Sequence, residues 1–167
     1  MVEFNLDSGQ IVRAVMLVPR QQDETSADRL FAGLAVGGGS VWVAGDLLDP
    51  TLYRIGASGG AVRIPVPAGT DAIAVGAGAV WLANQLADSV VRVDPRRSRV
   101  TATIRVGHEP VAVRVAGGAV WTANALDRTL SRIDVRTNRV DRTIRLDATP
   151  VALATDARRL WIAAERQ

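Results

Sequence analysis

Four tryptophans, Trp42, Trp81, Trp121 and Trp161, recur 39, 40 and 40 residues apart. Each sits in the same setting: Val41-Trp42-Val43-Ala44, Val80-Trp81-Leu82-Ala83, Val120-Trp121-Thr122-Ala123 and Leu160-Trp161-Ile162-Ala163. A fixed period near 40 restricts the chain to an array of like units, each burying its apolar face against its neighbours.

The pattern inside one unit decides which array. Ala72-Ile73-Ala74-Val75 is wholly apolar, as in a strand buried on both faces. Gly76-Ala77-Gly78 is a turn, and Val80 to Asn84 is a second strand. After the polar loop Gln85 to Asp88, Val90 to Asp94 reads as a third strand, ended by Pro95. Val100 to Val106 alternates apolar and polar, which suits an outer strand with one wet face. The next unit repeats this through Ala112-Val113, Trp121, Leu130 to Asp134 and Val140 to Leu146. The first complete unit is looser: Leu34 to Val36, Trp42, Leu52 to Gly56, then Val62 to Val66. Four strands in about 40 residues make one blade of a β-propeller. The fold class is therefore all-β, a propeller of four four-stranded blades per chain, with residues 1–167 as one domain. The exception is Pro19 to Phe31, a polar stretch read as a long loop, with a short helix as the alternative.

Both ends fall inside a unit. Phe4 to Asp7 matches Ser131 to Asp134, and Val12 to Val18 matches a fourth strand. At the other end the sequence stops soon after Trp161. Tryptophan precedes the third-strand aspartate by 13 residues in both intact cases, 81 to 94 and 121 to 134. Counting on from Gln167 into Met1 puts Asp7 again 13 residues after Trp161. The C-terminal half-blade thus supplies two strands and the N-terminal half-blade the other two. Such closure removes sheet edges. Three arrangements satisfy the count: an eight-bladed ring from two chains, a four-bladed monomer, or a piece of a longer propeller. Flat blades with bulky Trp and small Ala/Gly turns suit a wide ring, so the two-chain homodimer is the leading expectation.

Composition narrows the function classes. With 48% apolar residues the chain supports a core. It has no cysteine, which excludes disulfides and thiolate metal sites. No run approaches 18 apolar residues and the N-terminus carries no basic, apolar leader pattern, so neither a membrane span nor a signal peptide is expected. A cytoplasmic location follows if the chain is the full protein. Every one of its 20 basic residues is arginine, against 17 acids.

The charges separate by face. In a four-stranded blade the first-to-second and third-to-fourth turns share one face. Here they carry Arg96, Arg97, Arg99, Arg136, Arg139, Arg158 and Arg159. The remaining connections carry Asp46, Asp49, Asp71, Asp88, Glu109, Asp127, Asp147 and Glu165, with Asn84 and Asn124. Such faces suit an acidic partner on the basic side and a cation or small polar ligand near the acidic channel mouth. The basic side lacks aromatics for base stacking, so nucleic acid is not an expected partner. The candidate binding group is Asn84, Asp88, His108, Glu109, Asn124 and Asp127, with His108-Glu109 in the loop between two blades. A histidine beside a glutamate is able to act as base or metal ligand. Trp42, Trp81, Trp121 and Trp161 are assigned to packing between blades. Asp94 and Asp134 end strands and open turns, where aspartate bonds its own backbone. No catalytic residue and no metal ligand is assigned.

The segments Gly78-Ala79-Val80-Trp81-Leu82-Ala83-Asn84, Asp88, Arg92-Val93-Asp94-Pro95 and Thr103-Ile104-Arg105-Val106-Gly107 resemble the YVTN-type and virginiamycin B lyase-like propeller repeats. The resemblance covers nearly the whole chain. It implies a propeller, and for the lyases it implies two histidines and a glutamate near a magnesium ion at the propeller mouth. This chain has one histidine, His108, and its second strands end in Ala83-Asn84 and Ala123-Asn124, where the lyases tend to carry threonine and glutamate. The expected function is a non-enzymatic binding or scaffold module without a cofactor. The alternatives are a magnesium-dependent lyase of that type and a purely structural assembly unit.

Overall fold

A computed structural model of the chain describes residues 2–4, 11–14, 31–45, 49–156 and 159–165, of which 2–4, 11–14 and 31 are described by backbone alone. Asp7, Asp46, Arg158 and residues 19–30 of the polar stretch lie outside the described residues; Phe31 opens a strand.

Strands β1 (Val2–Phe4) and β2 (Ile11–Ala14) form an antiparallel hairpin. The first blade contains β3 (Phe31–Gly37), β4 (Ser40–Gly45), β5 (Thr51–Ile55) and β6 (Ala61–Pro65). The second contains β7 (Thr70–Gly76), β8 (Ala79–Asn84), β9 (Ser89–Asp94) and β10 (Arg99–Arg105). The third contains β11 (Pro110–Ala116), β12 (Ala119–Asn124), β13 (Thr129–Asp134) and β14 (Arg139–Arg145). A hairpin of β15 (Thr149–Thr155) and β16 (Leu160–Glu165) follows.

Each blade is an antiparallel meander in chain order. Innermost strands meet their equivalents, β3 against β7, β7 against β11 and β11 against β15. The described residues thus form three complete four-stranded blades and two separate two-stranded hairpins. The β1–β2 hairpin does not join the β15–β16 sheet within the chain. It pairs Val2 with Ala14, a tighter register than Thr129 with Arg145 in the third blade.

The tryptophans build the layers between blades. Trp42 packs with Leu52, Ile64, Ile73, Val80 and Val91, joining the first blade to the second. Trp81 packs with Val90, Ile104, Val113, Val120 and Ile133, joining the second to the third. Each such side chain buries roughly 150–250 Å², about 4–6 kcal/mol of transfer free energy as an upper bound. The indole N–H groups of Trp42 and Trp81 donate to the carbonyls of Gly37 and Gly76, both at 3.1 Å. Trp121 is half-buried beside Leu130 and Leu153. Trp161 differs: it is 53% exposed, on a strand that pairs with β15 alone among the described strands.

One feature of the inner strands is not visible in the apolar pattern. Every one of them shifts register against its neighbour at the same place, after Phe31, Thr70, Pro110 and Pro150. These bulges set Asp71 and Val111 out of step with the pleat.

Candidate functional site

The acidic face is held by a clasp between the second and third blades. The connection from β10 to β11 passes through His108 and Glu109. The backbone N–H of His108 donates to Asp127 Oδ2 at 2.7 Å. The N–H of Glu109 donates to Asp88 Oδ1 at 3.0 Å. His108 Nδ1 lies 2.7 Å from Asp88 Oδ2. Asp88 comes from the β8–β9 turn of the second blade and Asp127 from the β12–β13 turn of the third. The loop is thus pinned from both sides. The Glu109 N–H, and after it His108, hold the Asp88 carboxyl below the usual carboxylate range.

Asn84 and Asn124 stand at the ends of β8 and β12, where the sequence suggested a ligand-facing position. Both are fully buried. The Asn84 amide donates to the Ala68 carbonyl at 2.9 Å, and its oxygen accepts from the Ala87 N–H at 3.0 Å. The Asn124 amide donates to Thr129 Oγ1 and Ser131 Oγ, both at 2.9 Å. These amides tie turns to strands and do not face solvent. The clasp therefore brings together His108, Glu109, Asp88 and Asp127, and leaves Asn84 and Asn124 beneath it. Among the described residues no three His, Asp or Glu side chains converge as a metal-holding group.

The opposite face carries a concavity of its own. A cleft of about 810 Å³ opens between the first and second blades. The turns at Gly37-Gly38, Gly76 to Gly78 and Asp94 to Arg97 line it, with Trp42, Arg54, Arg92 and Thr101. First-to-second and third-to-fourth turns therefore share this face. Arg54 lies over the Trp42 ring at 5.5 Å and donates to Ser40 Oγ at 3.0 Å and to the Pro95 carbonyl at 2.8 Å. Arg92 lies over Trp81 at 5.1 Å. It reaches into the third blade, to the Val135 carbonyl at 3.0 Å and Asn138 Oδ1 at 2.7 Å. Arg96 and Arg97 are exposed at the rim. Their backbone N–H groups bind Asp94 Oδ1 at 2.8 and 3.2 Å, which fixes the turn that presents them. The same bonds hold the Asp94 carboxyl low. Asp134 repeats this with Arg136 and Thr137, at 2.7 and 3.0 Å.

Reading by position alone missed Arg54 and Arg92. The signal was present: β-strand pairing sets Arg54 opposite Trp42, Arg92 opposite Trp81 and Arg132 opposite Trp121. A guanidinium one strand from each tryptophan is a cross-strand stacking pair. On the inner edge, Asp71 and Arg114 share a concavity of about 250 Å³ with Gly33, Leu34 and Val111. Burial pushes the Asp71 carboxyl up.

No protein-family model matches the sequence, and no curated protein matches it. Solved structures do. Virginiamycin B lyase from Staphylococcus aureus, substituted with selenomethionine, is 18% identical; it aligns over 94% of this chain and 54% of its own, at a TM-score of 0.76. Hydrazine synthase from Kuenenia stuttgartiensis is 17% identical over 80% of this chain and 42% of its own, at 0.68. The WD40 repeats of RRP9 are 14% identical over 77% of this chain and 42% of their own, at 0.66. These likenesses establish a β-propeller fold. The chain spans about half the length of these structures.

Proposed function

We propose that the chain is a non-enzymatic binding and scaffold propeller module, and that its basic face takes an acidic, carboxylate-bearing segment of a partner protein. One observation carries this reading. The cleft between the first two blades is lined by four arginines, Arg54, Arg92, Arg96 and Arg97, on a wall of tryptophan and glycine turns. Guanidinium groups fork onto carboxylates in a way a point charge does not. Arg54 and Arg92 are already oriented by carbonyls and rings, so little side-chain entropy is lost on binding. The neighbours include both a lyase and WD40 repeats, so the propeller itself is compatible with either use.

Calorimetric titration with a poly-glutamate peptide tests this. Binding that weakens as salt is raised is expected. Joint substitution Arg96→Glu and Arg97→Glu should raise Kd at least tenfold, since both side chains are exposed and reverse the charge of the rim. Absence of binding, or binding indifferent to that reversal, would refute the proposal.

The magnesium-dependent lyase is the competing reading, favoured by the likeness in fold and by the contact between His108 and Asp88. The donor set does not fit it well. The imidazole and one carboxylate face each other, while Asp88 and Asp127 accept backbone N–H groups.

A further inference from the structure

The repeat supplies its own control for what the fold needs. Residues that hold blades together recur at matching places. A charged residue where the other units carry small or apolar ones therefore serves something other than packing. Two such departures meet on the inner strands. The bulge position, after Phe31, Thr70, Pro110 and Pro150, holds Ala32, Asp71, Val111 and Val151. The position paired with the tryptophan holds Ala35, Ala74, Arg114 and Ala154. Asp71 and Arg114 are thus each the one charged member of their set.

Both line the hollow of about 250 Å³ where β3, β7 and β11 meet. Gly33, on the same hollow, is a third departure, since Ala72, Ala112 and Ala152 take its place on the other inner strands. A Cβ at Gly33 would lie 2.5 Å from the Asp71 carbonyl oxygen, so the glycine lets β3 close on the segment that presents Asp71. The two charges do not satisfy each other. Among the described residues no ion pair joins them. Arg114 donates one N–H to the Val113 carbonyl, at 2.7 Å. Burial alone pushes the Asp71 carboxyl up, as for a carboxylate that loses water and gains no partner. The wall beside them is aliphatic, from Leu34, Ile73 and Val111, and Leu34 is 55% exposed. A second hollow of about 240 Å³ adjoins at Leu34, Ile73 and Arg114.

We propose that this groove binds a free aliphatic α-amino acid, its ammonium on the Asp71 carboxylate and its carboxylate on the Arg114 guanidinium. Opposite charges held apart in one hollow match a small molecule that carries both. An ammonium brings three donors to an acceptor-only carboxylate, and a guanidinium forks onto a carboxylate. The ligand's side chain covers Leu34 and Ile73 and removes their apolar surface from water. The site uses no residue of the Arg96–Arg97 rim, so it stands apart from the acidic-segment reading.

Calorimetric titration of the full chain with L-valine, L-isoleucine and L-leucine tests this. At least one should bind at a single site per chain and raise the melting temperature. Its amide, which lacks the carboxylate, and its N-acetyl derivative, which lacks the ammonium, should each bind at least about tenfold more weakly. Asp71→Ala and Arg114→Ala install the residues that Ala32 and Ala35 supply in the first blade, so both should keep the far-ultraviolet β spectrum. Each should weaken binding at least about tenfold. Joint substitution Arg96→Glu and Arg97→Glu should leave it unchanged. The proposal is overturned if none of the three amino acids binds, or if the amide and N-acetyl forms bind as well as the parent. Binding that survives either alanine substitution, or that the rim substitutions abolish, would equally overturn it.

Discussion

Arg92 shows how much of this fold rests on one side chain used twice. Its guanidinium covers the Trp81 ring at 5.1 Å and also grips the next blade at Val135 and Asn138. Arg54 does the same between the first and second blades, through Trp42 and Pro95. Arg132 stacks on Trp121 at 6.0 Å but turns its guanidinium to Asp141 of its own blade. Arg159 takes the same role over Trp161, from the β15–β16 turn and not from a third strand. Stacking contributes about 0.5–2 kcal/mol and the carbonyl bonds about 1 kcal/mol each. Arg92→Ala should therefore cost about 2.5–4 kcal/mol in urea unfolding. Arg92→Lys should recover less than half, since an ammonium neither stacks flat nor forks. Arg132→Ala should cost clearly less than Arg92→Ala, because its surface ion pair contributes little. Equal losses at Arg92 and Arg132 would show that the grip across blades does not matter.

The connections between elements are where strand patterns stop being informative. The strands were legible because alternation and apolar runs are local properties. So were the turns at Asp94 and Asp134, where an aspartate accepts N–H groups two and three residues on. The clasp was only half legible. His108, Glu109, Asp88 and Asp127 stand out in the sequence by their chemistry, and hydrogen bonds join them in the fold. Asn84 and Asn124 stand out by their polarity yet are buried, because a buried amide is tolerated wherever neighbouring groups supply partners. That choice depends on tertiary neighbours, as do the inner-strand bulge at Asp71 and the reach of Arg92. Gly107 is the tight point of the clasp. A Cβ there would lie 2.7 Å from both Asn124 Nδ2 and Asp127 Oδ2. Gly107→Ala should lower stability by about 1–3 kcal/mol, the usual range for overpacking. Gly56→Ala, where a Cβ meets nothing within 4 Å, should be close to neutral. Thermal unfolding of the two variants decides, and equal melting temperatures would remove Gly107 from the argument.

At the scale of the whole molecule the charges set the response to acid. Asp88, Asp94 and Asp134 are held low, chiefly by backbone N–H groups. For these the unfolded chain binds protons more readily than the folded one. Their stabilisation is complete above the ordinary aspartate value of about 3.9 and is lost as pH falls through their folded values. Asp71 works the other way: burial raises it, so its cost is present at neutral pH and is relieved as pH falls through its raised value. Three groups oppose one, and protonating the 17 acids also leaves 20 arginines to repel one another. The melting temperature should therefore fall below a pH of about 4. Repulsion and linkage predict the same sign, so a variant has to separate them. In the double variant Asp94→Asn and Asp134→Asn, each amide oxygen still accepts the turn N–H groups, but neither side chain titrates. That variant should be less stable than the parent at neutral pH and lose less on acidification. Asp71→Asn should instead raise the neutral melting temperature and steepen the acid loss. If the double variant follows the parent's curve in parallel, the acid loss comes from arginine repulsion and not from the turns.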